Sequence, residues 1–188
     1  MGSSSPAGAQ ALEMLRQFVN TRDIEAGTDA FVDEVACSHW LNEHGLLDRE
    51  DPVGPDDLAR VHLVRETIRG ALLANHDGAE VPADLRDVLN EGIRDARLNV
   101  MISADGWTMR PETTGVARAL GELLAAMLKA MAEGTWERLK VCGNEDCRWA
   151  FYDRSPGRAR KWCSMGLCGN RAKQQTWRRS QTEGDLAR

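Results

Sequence analysis

Residues 142–168 read CGNEDCRWAFYDRSPGRARKWCSMGLC, and the cysteines in this stretch decide the fold of the last third of the chain. Cys142 and Cys147 have four residues between them, as do Cys163 and Cys168, and fifteen residues separate the two pairs. Each pair can place two thiolates on one short turn, and the loop between them can bring the turns together. That is the donor set of a tetrahedral metal site. Four soft sulfur ligands suit Zn²⁺ and leave no position open for water, so Cys142, Cys147, Cys163 and Cys168 are the expected ligands of one structural zinc. An iron–sulfur cluster and disulfides are the alternatives, the latter rare in a reducing cytoplasm. Trp149, Phe151, Trp162 and Trp177 are nearly all the large apolar residues of this segment. With so little core, it should draw most of its folding energy from the metal. Chelation is expected to unfold residues 140–180 and leave the rest largely intact.

Outward from the cysteines the charge changes sign. Residues 140–188 carry 11 Lys/Arg against 5 Asp/Glu, a net of +6, whereas residues 1–139 carry 13 against 24, a net of −11. Two modules with different partners are implied, the basic one facing a polyanion or docking on the acidic body. Hydrophobic content of 42% and charged content of 28% are those of a globular, soluble chain. No stretch is long and apolar enough for a membrane span, so no membrane partner is expected. The opening MGSSSPAGAQ lacks a basic patch followed by an apolar run. It reads as a disordered tail over 1–10 rather than a signal peptide, and a cytoplasmic location follows.

The acidic part, 11–136, reads as a helical domain. Leu12, Leu15, Phe18 and Val19 share one face of a helix over 11–21. A second helix is expected from Thr28 to near His44, with Phe31, Val35, Trp40 and Leu41 as its buried stripe and Gly45 as its stop. A third runs from Asp56 or Asp57 to about Asn75 through Leu58, Val61, Arg65, Ile68 and Leu72, and a fourth starts at Pro82. Leu98, Val100 and Ile102 then alternate with Asn99, Met101 and Ser103, Asp105-Gly106 follows, and Trp107 and Met109 alternate again. This predicts a β-hairpin at about 98–110. Val116, Leu120, Leu123, Leu124, Met127, Leu128 and Met131 form the clearest helical stripe, with Thr113 or Thr114 as cap and Gly134 as stop. The fold class is therefore mainly α with one small antiparallel β-hairpin, followed over 137–188 by a small four-cysteine zinc-binding module with a basic C-terminal helix.

Nothing in the acidic part marks an enzyme. His39, His44, His62 and His76 form no ligand pattern, and Cys37 sits on an apolar helix face as a small hydrophobe. There is no Gly-rich phosphate loop, no nucleophile elbow and no nucleophile–base pair. Catalysis is not expected.

The string Cys168-Gly169-Asn170-Arg171 resembles the motif that names the CGNR zinc finger. Gly134-Thr135-Trp136, Trp149-x-Phe151-Tyr152-Asp153-x-Ser155, Trp162-Cys163-Ser164-Met165 and Lys173 are similar to its usual surroundings. The body resembles the ABATE domain in Phe18-Val19-Asn20-Thr21, Trp40-Leu41 and Gly45-Leu46-Leu47. The resemblance implies a bacterial, stress-induced transcription regulator whose finger binds DNA. Here Gln174-Gln175-Thr176-Trp177 replaces a more basic run, which lowers the charge of the last helix.

On a helix after Cys168, the residues Arg171, Gln174, Gln175 and Arg178 form one stripe suited to base edges in the major groove. Arg158, Arg160, Lys161, Lys173 and Arg179 are the expected phosphate contacts, and Trp177 is expected to pack beneath the finger. One finger reads few base pairs, so a homodimer is expected, with the body as dimerisation module, as sensor of a small-molecule ligand, or both. The alternative function is a protein–protein interaction module in which the finger docks a protein partner.

Overall fold

The structure, a computed structural model, describes residues 6–104 and 106–174. Helix α1 (Pro6–Val19) opens on a proline, whose missing N–H costs nothing in a first turn, and so begins five residues ahead of the periodic stretch. Leu12, Leu15, Phe18 and Val19 are buried as their spacing predicts.

The expected helix from Thr28 is shorter than its apolar pattern suggests. Thr28 and Asp29 form strand β2 (Thr28–Asp29), paired with β1 (Arg22–Asp23). Helix α2 (Glu34–Glu43) starts only after Asp33, whose carboxylate accepts from the Ala36 N–H at 2.8 Å. Two side chains cause the shift. Asp33 is the better N-cap, and Asp29 is taken by the buried guanidinium of Arg65 at 2.5 and 2.7 Å. Val35 is consequently 78% exposed, while Cys37 and Leu41 face inward and Phe31 enters the core from the preceding loop.

Helix α3 (Pro55–Asp77) runs through the middle of the molecule, and Val61, Ile68 and Leu72 lie on its buried side. It is followed by α4 (Ala83–Asp95), the hairpin of β3 (Leu98–Ser103) and β4 (Gly106–Pro111), and α5 (Gly115–Ala132). The hairpin register is Leu98↔Pro111 at its base and Ser103↔Gly106 at its tip; Asp105 lies outside the described residues. Its base presses on α5 at Gly121, where a Cβ would come within 2.6 Å of Ala96 and 2.8 Å of Pro111, so only glycine fits.

After α5 comes a 3₁₀ turn, Trp136–Arg138, and a third antiparallel strand pair, a hairpin that the periodicity does not announce. Strands β5 (Leu139–Val141) and β6 (Ala150–Tyr152) pair antiparallel, β5 lying along α3 and β6 along α1. Leu139, Val141 and Ala150 belong to the same buried cluster as Leu15, Ile68 and Leu124 of the helices. The start of the basic segment is thus part of the body's core. A π-helical turn, Met165–Gly169, leads into helical residues 170–174.

Candidate metal centre

The β5–β6 hairpin builds the first half of the centre. Cys142 follows β5 directly and prolongs the ladder through its N–H, which donates to Trp149 O at 2.9 Å. The turn between the strands closes on Asn144, whose carbonyl accepts from the N–H groups of Cys147 and Arg148 at 3.0 and 2.9 Å. Gly143 sits where the turn meets α3. A Cβ there would lie 2.9 Å from the His76 imidazole and 3.1 Å from Trp162, so the close approach requires glycine.

The second half is the turn from Cys163 to Cys168. Ser164 Oγ accepts from the Leu167 N–H and Ser164 O from the Gly169 N–H, which fixes the π-helical turn bearing Cys168. Arg160 braces this turn from behind. Its Nε donates to Trp162 O at 2.7 Å, its other end donates to Cys163 O, and the guanidinium lies 5.1 Å over the Phe151 ring.

The four ligand atoms of Cys142, Cys147, Cys163 and Cys168 all lie within 4.8 Å of one another. Cys163 Sγ is 3.7 Å from both Cys147 Sγ and Cys168 Sγ. A tetrahedral site with Zn–S bonds of about 2.3 Å requires sulfurs roughly 3.8 Å apart, whereas a disulfide requires about 2.05 Å. All four thiols are free, three are buried, and Trp149 and Trp162 pack around them. The donor set therefore fits one structural zinc and no disulfide.

Burial, joined by the neighbouring Cys142, pushes Cys147 up to about 12 and Cys163 higher still. Burial acts on Cys142 as well, yet the N–H groups of Cys163 and Asn144 aimed at its sulfur bring it below the ordinary thiol value. A metal ion binds these sulfurs as thiolates, so its binding releases the protons they carry.

A clamp of buried polar groups joins the centre to the helices. Asn20 holds the backbone of Ala150 at both its N–H and its carbonyl. Arg69, buried, donates to Arg148 O at 2.9 Å, Val19 O at 2.6 Å and Arg22 O at 3.1 Å. Asn75 donates to Trp136 O and Leu139 O, each at 3.0 Å. Asp153 is fully buried and accepts from Lys140 Nζ, Ser155 N, Ser155 Oγ and Arg160 N. Burial works against its charge, but the hydrogen bonds from Ser155 and Lys140 prevail and hold its carboxyl at about 2. Periodicity does not single out Asn20, Arg69, Asn75 or Asp153. Two of them stand inside quoted strings, Asn20 in Phe18-Val19-Asn20-Thr21 and Asp153 two residues before Ser155.

The residues read as nucleic-acid contacts divide into three groups. Lys161, Lys173 and Gln174 are exposed beside the centre. Arg158 pairs with Glu137, Arg160 is the brace just described, and Arg171 Nη1 meets Glu25 Oε1 of the β1–β2 turn at 2.5 Å. Gln175, Trp177, Arg178 and Arg179 lie outside the described residues, so only Arg171 and Gln174 of the four-residue stripe are placed.

A helical body wrapped around a hairpin that carries a structural four-cysteine zinc site defines a zinc-finger protein. Residues 138–181 match the model of the CGNR zinc finger. Residues 13–134, more than half of the chain, match the ABATE model, described as "Putative stress-induced transcription regulator", and the chain belongs to that family. That description is of a regulator rather than an enzyme. No curated protein matches the chain. Among the described residues no helix is long and apolar enough to cross a membrane.

Proposed function

We propose that the protein regulates transcription by binding duplex DNA through its zinc module, with the body pairing two copies, sensing a ligand, or both. The observation that carries this reading is the placement of Lys161, Lys173 and Gln174. All three are exposed on segments tied down by the metal, in a chain whose body is strongly acidic. Lysines held in this way contact phosphates, and a helix beginning at a fixed turn can enter the major groove. Arg171 joins them once it leaves Glu25, and Gln175, Arg178 and Arg179 continue the same segment. The sensor role is supported by an open cleft of about 750 Å³ on the outer side of α2, lined by Val35, His39, Asn42 and Arg49.

The second reading, a finger that docks a protein, rests on Met165 and Leu167. Both are exposed on the zinc turn, where an apolar partner surface could cover them. Fluorescence anisotropy of random duplex DNA, titrated at several salt concentrations with and without chelator, separates the two. DNA binding predicts affinity that falls by roughly 0.9 log units per log unit of salt for each phosphate neutralised, and that disappears with the zinc. Absence of binding at low salt would favour the protein-docking finger.

A further inference from the structure

The β3–β4 hairpin carries exposed side chains on both faces, and one of these faces is wholly apolar. Its register pairs Leu98 with Pro111, Val100 with Met109 and Ile102 with Trp107. Directly opposed residues of an antiparallel pair share a face, so these six apolar side chains form one surface with no charge. The base of that surface is seated on α5, where Pro111 meets Gly121. Its outer half is not seated: Val100 is 61%, Ile102 90% and Trp107 43% exposed. Beside the hairpin, against α5 and α1, runs a groove of about 520 Å³ whose apolar lining includes Trp107, Met109, Met14 and Ala126. A two-stranded ribbon is marginal in water without something against its apolar face, and a contiguous apolar patch of this kind marks an interaction site.

We infer that the outer apolar face of this hairpin and the groove beside it dock a second copy of the chain across a two-fold axis. Charge selects that occupant. Residues 1–139 carry a net of −11, and the hairpin face, which bears no charged side chain, lets two copies meet without setting like charges against each other. Arg110, Glu122 and Lys129 line the groove, and none of them makes an ion pair among the described residues. A partner of one sign would leave either the carboxylate or the two cations unpaired. In a two-fold apposition Glu122 of each copy can meet Lys129 or Arg110 of the other, because an isologous interface repeats every contact reciprocally. The inference rests on the reading that the body pairs two copies and is independent of what the finger binds.

Sedimentation equilibrium of the zinc-loaded full chain without DNA tests it. The wild type should be a dimer at micromolar concentration. Val100→Glu combined with Ile102→Glu should raise the dissociation constant at least about a hundredfold, as loss of central apolar anchors does. Both positions are exposed, and unchanged circular dichroism would show the fold retained. Glu122→Lys and Lys129→Glu should each weaken the homodimer, and mixing the two variants should restore association by pairing opposite rims. A wild type that stays monomeric at high concentration, a dimer indifferent to the Val100/Ile102 change, or charge variants that do not recover on mixing would overturn the inference. None of these outcomes bears on DNA affinity, which the anisotropy titration measures separately.

Discussion

Asn20 and Ala150 are joined by a pair of hydrogen bonds: Asn20 Nδ2 donates to Ala150 O at 3.0 Å, and Ala150 N donates to Asn20 Oδ1 at 2.7 Å. A side chain at the end of the first helix thereby takes the place of a neighbouring strand at the edge of β6. It holds the zinc-bearing hairpin against the body.

Replacing Asn20 with Ala leaves the N–H and carbonyl of buried Ala150 without partners. The expected cost is about 2–3 kcal/mol. In a chain of this size that lowers the thermal midpoint by very roughly 5–10 °C, readable by circular dichroism at 222 nm. Asn20→Asp keeps the acceptor and loses the donor, so its loss should also be substantial.

Removing zinc should destabilise more than the finger. Leu139, Val141 and Ala150 lie in the body's core, and the strands bearing them run directly into Cys142 and from Cys147. The expectation from sequence, that chelation spares the body, changes accordingly. A single transition at lower temperature is expected for the chelated protein, with helical signal lost in the same step. Two separate transitions, the helical one unmoved, would show the body standing without the metal.

Gly143→Ala places a methyl group 2.9 Å from the His76 ring. The turn holding Cys142 must then shift, so zinc affinity should fall about tenfold or more in competition with a chromophoric chelator. His76→Ala in the same background opens the space and should recover part of the loss.

Asp153 makes stability depend on pH at the acid end. Its carboxyl titrates at about 2 when folded, against an ordinary value of 3.8. The group is more acidic in the folded state, so its contribution, about 2 kcal/mol, is complete above pH 4 and is lost as the pH falls through 2. Lys140→Met with Asp153→Asn removes both members of the buried pair and should flatten this part of the profile. Acid also releases zinc from both proteins, so the difference between the two curves isolates the carboxylate. Asp153→Asn alone should cost more than the double change, because it leaves the Lys140 ammonium buried and unpaired.

The sequence is legible where one local rule dominates. The alternation from Leu98 to Met109 gives the hairpin, the stripe from Val116 to Met131 gives α5, and the cysteine spacing gives the metal centre, because each pattern is set by a period or by the reach of a ligand. It is misleading at Thr28. That residue could cap a helix, but Asp33 caps better and the distant Arg65 claims Asp29. The β5–β6 hairpin is hidden for another reason. Its strands are three residues each, too short to show alternation, and their stability comes from Asn20, Arg69 and Asn75 on other elements. The finger's charge is legible, but which cations are free to meet a ligand depends on partners such as Glu137 and Glu25 that lie far away in sequence.

The hairpin between α1 and α3 also limits how the chain can be divided. The charge reverses near residue 137, an inviting place to cut. A fragment ending there would bare the flanks of α1 and α3 that β6 and β5 cover, leave the amide of Asn75 without Leu139 O, and deprive Asn20 of both its bonds. Expression of the helical part alone should yield an aggregating species rather than a tidy half. A useful donor for chimeras would keep the hairpin and all four cysteines together with the helices that grip them.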